Sequence, residues 1–226
     1  VGPYRQFYIS EPKRRLIMAL QFRDRVVQWA IYRQLNPLLD RQFISGSYGC
    51  RIGKGAQNAA KKLQYWMRAV DRKPEKWYYL KLDISKYFYR VDHKILLNIL
   101  KKKINDDDLI WLLGVIINSE DTKFGLPEGE SIDTCPPDKM LSDRGIPIGN
   151  LTSQLFANLY LDQLDQYVKH VLKLHYYIRY MDDIVILYPD KQKLRCIQDL
   201  TGQFLEKSLL LDLNRKTAIR PISNGI

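Results

Sequence analysis

Two adjacent carboxylates, Asp182 and Asp183, interrupt a stretch that otherwise has the composition of buried strands. β-Branched and aromatic residues flank them in segments 177–180 and 184–188, which predicts a strand, a tight turn and a second strand. Hydrated acids at a turn are the ordinary explanation. The flanks are too apolar for a surface hairpin, so we expect the two like charges beside a core, where a bound cation would relieve their repulsion.

A third carboxylate, Asp83, lies near the end of another predicted strand, which covers residues 77–84. Two adjacent carboxylates and a third from elsewhere provide the oxygen ligands that Mg²⁺ prefers, and bound Mg²⁺ commonly contacts substrate phosphates as well. The three aspartates therefore indicate metal-dependent chemistry on a substrate that contains phosphate.

The composition agrees with a polyanionic partner. The 226 residues are 46% hydrophobic, which excludes a disordered chain, and the 36 lysines and arginines exceed the 25 acids to give a net charge of +11. This excess favours nucleic acid, although basic charge alone is weak evidence. Three widely spaced cysteines without a CxxC pair fit a reducing compartment, and no long apolar run is present, so we expect a cytoplasmic protein without a membrane partner.

The pattern of elements predicts an α+β fold with a central antiparallel sheet. Asn36-Pro37 is expected to kink or end the first helix, residues 85–90 to form a turn, and residues 119–144 to form a loop or a mobile hairpin. Two short strands around a basic tip are expected within residues 1–22, a strand and turn within 209–217, and helices over 23–39, 56–70, 93–103, 107–118, 151–172 and 191–208.

A segment rich in glycine and basic residues precedes the second helix. Arg51 and Lys54 lie within residues 47–55, where backbone amides at a helix start could hold a phosphate. The spacing does not match a P-loop, and a solvated basic loop explains the segment equally well.

Several motifs, in one order, resemble those of the reverse transcriptases of bacterial retroelements. Residues 180–183 (YMDD) resemble the YxDD box, and Asp83 followed five residues later by Phe88 resembles the first catalytic motif. Residues 47–51 resemble the SYGFR element, 145–154 the motif before the long palm helix, and 211–217 the LxLNxxKT motif. The resemblance covers essentially the whole chain.

This resemblance implies a right-hand polymerase fold. The fingers would cover about residues 1–76 and 93–144, and the palm about 77–92 and 145–226. The thumb would be missing from this chain or truncated.

One motif departs from the usual pattern. Most reverse transcriptases have QGxxxSP, whereas residues 148–154 read IGNLTSQ. This IGxxxSQ form resembles the enzymes of diversity-generating retroelements, which copy a template RNA with frequent errors at adenines, and residues 2–5 and 23–28 are similar to that group as well. A group II intron-type or other bacterial reverse transcriptase remains the alternative.

The resemblance implies an RNA-directed DNA polymerase that uses two Mg²⁺ ions, with Mn²⁺ as a substitute. Its partners would be a template RNA, a DNA or RNA primer, deoxynucleoside triphosphates and an accessory protein of the retroelement. The implied metal ligands are Asp83, Asp182, Asp183 and the Ile84 carbonyl; the implied nucleotide contacts are Lys13, Arg15, Phe88, Ile148, Gly149 and Lys216; the implied nucleic-acid contacts are Arg51, Lys54, Gln154 and Tyr180.

Two of these residues have specific roles in the family. Phe88 matches the aromatic residue whose ring excludes the 2′-hydroxyl of a ribonucleotide. Lys216 would assist proton transfer to pyrophosphate. The alternative for Phe88 is an ordinary core residue, and the alternative for Lys216 is an ordinary surface residue.

Two other functions compete with polymerisation. A catalytically silent scaffold could bind RNA through a basic surface without chemistry, and a metal-dependent nuclease would use similar acids. The complete set of three aspartates argues against the silent scaffold, and primer extension separates all three functions.

Overall fold

The computed structural model describes residues 2–10, 14–118 and 123–225, which form two compact units. Unit 1 combines Val1–Arg41 with Lys86–Tyr160, and unit 2 combines Gln42–Ser85 with Leu161–Ile226. The expected fingers and palm ranges divide the chain differently and stay a prediction. None of the helices in the described ranges is long and apolar enough to cross a membrane.

The chain alternates strands and helices. The strands are β1 Arg5–Ile9, β2 Arg15–Ala19, β3 Tyr78–Asp83, β4 Tyr177–Tyr180, β5 Asp183–Tyr188 and β6 Ala218–Pro221. The helices are α1 Phe22–Asp40, α2 Gly55–Asp71, α3 Tyr87–Arg90, α4 His93–Lys101, α5 Asp107–Ile117, α6 Leu151–Gln166 and α7 Lys191–Leu209. A π-helical turn, Tyr167–Val171, follows α6, and short 3₁₀ turns occupy Pro137–Lys139 and Ile222–Asn224.

The predicted long helices, the acidic hairpin and the two paired strands near the N-terminus are confirmed. The basic tip expected at Pro12-Lys13-Arg14 falls largely on residues 11–13, which lie outside the described ranges. Aspartates begin three of the helices because their carboxylates accept hydrogen bonds from backbone amides that have no partner within the helix. Asp92 accepts from the Ile95 amide at 2.9 Å, and Asp106 accepts from the Leu109 amide at the same distance. Asp190 caps α7 in the same way.

Of the two outcomes expected at Asn36-Pro37, an end to the first helix does not occur, because α1 continues to Asp40, close to the predicted end at residue 39. The expected kink stays a prediction. Leu35 and Leu39 are almost fully buried on either side of the proline. Burying these two side chains outweighs the single hydrogen bond that the proline nitrogen cannot donate.

Two other local predictions are wrong. Residues 85–90 contain the short helix α3 rather than only a turn, and the strand expected within residues 209–217 is reduced to one bridge between Leu213 and Ile84. The turn predicted after that strand is present at residues 215–216, where the Asn214 side chain accepts a hydrogen bond from the Lys216 amide at 3.2 Å. The strand β6 begins only after this turn.

Unit 1 packs its hairpin against an irregular segment. β1 and β2 pair antiparallel, and Leu16 and Met18 of β2 are buried in one cluster with Tyr89 and Phe124. The Tyr89 and Phe124 rings stack with centroids 4.7 Å apart. This cluster holds the irregular chain of residues 123–141, which agrees with the predicted loop; residues 119–122 lie outside the described ranges.

Unit 2 contains a four-stranded antiparallel sheet in the order β4-β5-β3-β6. Apolar residues line both faces, because α2 packs beside β4 while α7 packs against β3 and β5. The side chains of Leu80, Leu82, Ile184 and Ile186 are fully buried on the two central strands. The sheet core of unit 2 is therefore built from β3 and β5, the strands that carry Asp83 and Asp183.

The buried strand β3 provides a test of this core. Leu82→Ala is expected to lower the free energy of unfolding by about 2 to 5 kcal/mol, because it leaves a cavity at a fully buried site. Ile52→Ala, at a side chain that is 84% exposed, should change it by no more than about 0.5 kcal/mol. Urea unfolding measures both values, and equal effects would contradict the assigned core.

Candidate functional site

The backbone of unit 2 brings the three predicted metal ligands to one end of its sheet. Asp83 and Asp183 are directly paired residues of β3 and β5. The Ile84 amide donates to the Asp182 carbonyl at 3.3 Å, and Met181 makes the turn with a left-handed φ of 53°. The predicted strand, turn and strand are confirmed, and the three aspartates occupy neighbouring backbone positions along the chain or across one strand pair.

Neutral and cationic groups contact two of these carboxylates. The Asn214 side-chain amide donates to Asp83 Oδ2 at 2.9 Å. Lys81, two residues before Asp83 and on the same face of β3, places its Nζ 3.8 Å from Asp183 Oδ1. Both members of that ion pair are about half exposed, so the pair contributes about 0.2 to 1 kcal/mol at most. A competing cation could displace Lys81 at little cost.

The donor chemistry of the aspartates fits a hard cation. Carboxylate oxygens and a backbone carbonyl such as that of Ile84 are typical Mg²⁺ ligands. Among the described residues, however, no three acidic, histidine or cysteine side chains converge closely enough to hold a metal ion. The backbone positions suit a shared ion, whereas the Asp83 and Asp183 side chains are directed to Asn214 and Lys81.

A fully buried ion pair supports the turn that carries Asp182. Arg179 of β4 donates from Nε and Nη2 to the two carboxylate oxygens of Asp165 at 2.8 and 2.7 Å, and neither side chain is exposed. Two further guanidinium hydrogens are donated to the Ser47 hydroxyl and the Met181 carbonyl, both at 3.0 Å. One side chain thus connects the end of α6, the segment at Ser47 and the acidic turn.

Tyr177 completes this buried cluster. Its hydroxyl donates to Asp165 Oδ1 at 2.6 Å. Burial, followed by the negative charge of Asp165, raises the pKa of Tyr177 well above its usual value. The hydroxyl therefore stays protonated and serves as a donor.

The segment at residues 46–49 lies directly against β4. The Arg179 amide donates to the Gly46 carbonyl, and the Tyr48 amide donates to the Arg179 carbonyl, both at 2.8 Å. A Cβ at Gly49 would lie 2.7 Å from the backbone nitrogen of Met181. A glycine is needed at this position because the backbone of the acidic turn occupies the space of a side chain.

The predicted nucleic-acid contacts of unit 2 have partners within the unit. Arg51 Nη1 donates to the carbonyls of Ile44 and Ser47 at 2.8 and 2.9 Å, and Lys54 Nζ donates to the Ser45 carbonyl at 3.0 Å. Both side chains therefore brace the loop before α2. Tyr180, beside the acids, is 38% exposed, and Lys216 is exposed in the turn after α7.

The predicted nucleotide contacts in the described part of unit 1 lie on connected segments. The Met18 amide of β2 donates to the Ile148 carbonyl at 3.0 Å, and the Ile146 amide donates to the Phe88 carbonyl at 2.7 Å. Phe88 is half-buried, and Gly149 has a φ of 116°. Arg15 begins β2 and Gln154 is exposed on α6, whereas Lys13 lies outside the described residues.

Four residues of this site were not anticipated from the sequence: Lys81, Asp165, Arg179 and Asn214. The sequence does mark Arg179 as unusual, because it is a charged residue next to Ile178 in a predicted strand that is otherwise aromatic and aliphatic. Asp165 lies 14 residues before Arg179 in the sequence, and only the fold shows that the two side chains are in contact.

The fold and the acidic turn together define a polymerase domain. The chain belongs to the reverse transcriptase (RNA-dependent DNA polymerase) family, whose model matches residues 10–220. The α+β fold of right-hand polymerase type is likewise confirmed by solved structures. Telomerase from Candida tropicalis, solved with a TWJ fragment of telomeric RNA, superposes with a TM-score of 0.66 at 13% identity, over 99% of this chain and 41% of the telomerase chain.

Curated relatives agree with this family. Protein YkfC of Escherichia coli K12 is 25% identical over 258 residues, which cover 99% of this chain and 64% of YkfC. The putative COX1/OXI3 intron 2 protein of Saccharomyces cerevisiae is 23% identical over 66% of this chain and 15% of its own length. The chain thus spans less than two thirds of each relative.

The buried ion pair is expected to be essential for folding of unit 2. Asp165→Asn would leave the Arg179 guanidinium buried without its counter-charge and should lower the free energy of unfolding by about 3 to 5 kcal/mol. Asp199→Asn, the same substitution at an exposed site on α7, should change it by no more than about 0.5 kcal/mol. Urea unfolding measures the free energy of unfolding of both variants. Similar values for Asp165→Asn and Asp199→Asn would show that the buried ion pair contributes little to stability.

Proposed function

We propose that the chain carries the polymerising centre of an RNA-directed DNA polymerase, in which Asp83, Asp182 and Asp183 hold two Mg²⁺ ions. The observation that carries this proposal is the placement of the three acids at one end of the β3–β5 pair in a chain of the reverse transcriptase family. The Ile84 carbonyl is the further ligand. Mn²⁺ is an alternative ion with the same preference for oxygen.

The reaction would be the in-line attack of a primer 3′-hydroxyl on the α-phosphate of a deoxynucleoside triphosphate. Bound divalent ions supply charge that activates the hydroxyl and stabilises the leaving pyrophosphate. The protein's part is placement, since phosphoryl transfer needs few reacting side chains. Asn214 orients Asp83 through its 2.9 Å hydrogen bond, and Arg179 holds the turn before Asp182 through the Met181 carbonyl.

Lys81 has a role before the ions bind. Its ammonium lies 3.8 Å from Asp183 and offsets part of the repulsion among the three carboxylates. Because this pair is half exposed, the ion pair opens at little cost when a divalent cation arrives. The ion pair with Lys81 therefore reduces the repulsion at the acidic turn before a cation binds.

Selection of the incoming nucleotide is assigned to unit 1. Phe88 would exclude the 2′-hydroxyl, and Arg15 and Lys13 would contact the triphosphate. Arginine provides a planar, bidentate contact to phosphate and lysine a point charge. The hydrogen bonds from Met18 to Ile148 and from Ile146 to Phe88 support a common position for Phe88 and residues 146–149 beside β2.

The proposed partners are a template RNA, a primer and deoxynucleoside triphosphates. The net charge of +11 favours a polyanion, and the similar telomerase was solved with an RNA fragment. Arg51, Lys54, Gln154 and Tyr180 are the proposed nucleic-acid contacts, and Lys216 is proposed to assist proton transfer to pyrophosphate.

Within the family, we assign the chain to the group of diversity-generating retroelements. The IGNLTSQ sequence of residues 148–154 supports this assignment. A group II intron-type enzyme is the second candidate, which the similarity to a yeast intron protein favours. The two candidates differ in expected fidelity, because only an enzyme of a diversity-generating retroelement is expected to be error-prone.

Primer extension on an RNA template with Mg²⁺ tests the metal assignment. Asp182→Ala should abolish extension, whereas Asp199→Ala, which removes an exposed carboxylate from α7, should leave it unchanged. Extension that persisted in Asp182→Ala would refute the assignment. A wild-type protein that bound RNA without extending primers would be a silent scaffold, and release of shortened fragments would identify a nuclease.

Fidelity tests the role of Ile148. A glutamine could donate a hydrogen bond near the nascent base pair, so Ile148→Gln should lower misincorporation opposite adenine by roughly two- to twelve-fold, the equivalent of about 0.5 to 1.5 kcal/mol. Ile148→Leu keeps an apolar side chain against the cluster of Met18 and Tyr89 and should leave the error rate unchanged. Equal error rates in Ile148→Gln and wild type would contradict the hypothesis.

A further inference from the structure

A basic pocket lies in unit 2, apart from the acidic turn. Its volume is about 330 Å³, and Lys54, Lys62, Lys169 and His175 line it together with the rings of Tyr48 and Trp66. None of the described residues that line the pocket is acidic. Three ammonium groups around a small volume create a positive potential that favours an anion of phosphate size.

Aromatic rings hold two of these lysines at the pocket. Lys54 Nζ lies 4.7 Å from the centroid of the Tyr48 ring, and Lys62 Nζ lies 5.3 Å from that of Trp66. Such cation–π contacts place an ammonium group without neutralising its charge. Lys54 Nζ also donates to the Ser45 carbonyl at 3.0 Å, which fixes the position of this ammonium group at the pocket.

The third lysine is partly withdrawn from water. Lys169 Nζ donates to the carbonyls of Leu174 and His175 at 3.0 and 3.3 Å. Burial lowers the pKa of Lys169, although the negative charge of Asp165 opposes this effect. A charged group with incomplete hydration gains more from a bound anion than a fully hydrated one.

Basic and aromatic residues continue along α2 beyond the pocket. Tyr65 is 64% exposed, and Lys62 Nζ lies 5.4 Å from its ring centroid. Alternating cations and aromatic faces are typical of surfaces that bind single-stranded nucleic acid, because lysines contact phosphates and bases stack on exposed rings.

The pocket is separate from the proposed polymerising centre. Tyr177, which also lines the pocket, pairs with Ile186, whereas Tyr180 pairs with Asp183 at the acidic end of the same strands. Three residues of extended strand correspond to about 10 Å. A strand bound at the pocket would therefore contact a different part of unit 2 from the reacting phosphate.

We propose that this pocket is a second nucleic-acid site, which holds one backbone phosphate of a single strand between Lys54, Lys62 and Lys169 while a base stacks on Tyr65. The inference rests on the proposed function, since a polymerase on an RNA template must retain the single-stranded part of that template. It adds a contact on α2 that the metal site and the nucleotide residues do not include.

Equilibrium binding without metal tests the proposal. The affinity of the purified protein for a single-stranded RNA of twelve nucleotides is measured by fluorescence anisotropy in EDTA between 50 and 200 mM salt. Lys62→Gln should weaken binding and reduce the slope of log affinity against log salt by about 0.7, the value for one phosphate on a single strand. Tyr65→Leu should weaken binding about five-fold or more at every salt concentration and leave the slope unchanged.

Lys61→Gln is the matched control, because it removes the same charge from the adjacent exposed residue of α2, which does not line the pocket. This variant should keep the wild-type salt slope. The proposal would be overturned if Lys62→Gln kept the salt slope of the wild-type protein. It would also be overturned if Lys61→Gln and Lys62→Gln lost equal amounts of affinity for RNA. Inorganic phosphate at constant ionic strength should compete weakly with RNA for the wild-type protein. If Lys62→Gln abolished this competition but left the affinity for RNA unchanged, the pocket would be a site for free anions, and the proposal would also be overturned.

Failure of this proposal is distinguishable from failure of the proposed function. Asp182→Ala should bind the RNA as wild type does in EDTA, because no metal is present in that measurement. Loss of extension without loss of binding therefore concerns the acids alone. A slope that changes in Lys62→Gln would support the pocket even if the wild-type protein extended no primer.

Discussion

The buried pair of Arg179 and Asp165 is the interaction on which unit 2 depends. A guanidinium without solvent exposure requires both a counter-charge and hydrogen-bond acceptors, and Asp165, Ser47 and the Met181 carbonyl meet these requirements. These partners come from three separate segments of the chain. Their relative positions are consequently set by one rigid, planar group, and the acidic turn is among the segments that it positions.

The acidic end of the sheet contains opposing electrostatic effects. Three carboxylates on neighbouring backbone positions repel one another, and this repulsion would destabilise the fold if nothing opposed it. Asn214 and Lys81 oppose it with one hydrogen bond and one exposed ion pair, both of which are weak enough to be exchanged. The site is thus stable without a cation while the carboxylates stay available to one.

Local patterns in the sequence were sufficient to predict the acidic hairpin, the strand of Asp83 and the long helices, because each depends on the spacing of apolar residues within a short segment. Features that depend on distant partners were not predictable in this way. The fourth strand, β6, is defined by its pairing with β3. Arg179 was visible as a charge in an apolar strand, but only the fold identifies Asp165 as its partner.

The close approach of Gly49 to the backbone nitrogen of Met181 affects how this site can evolve. A smaller residue at position 181 would remove the Met181 side-chain atoms, which would lie 2.5 and 2.8 Å from a Cβ at position 49, but the main-chain nitrogen would still leave no room for it. Position 49 is therefore restricted to glycine for as long as the turn keeps its path, whichever residue occupies position 181.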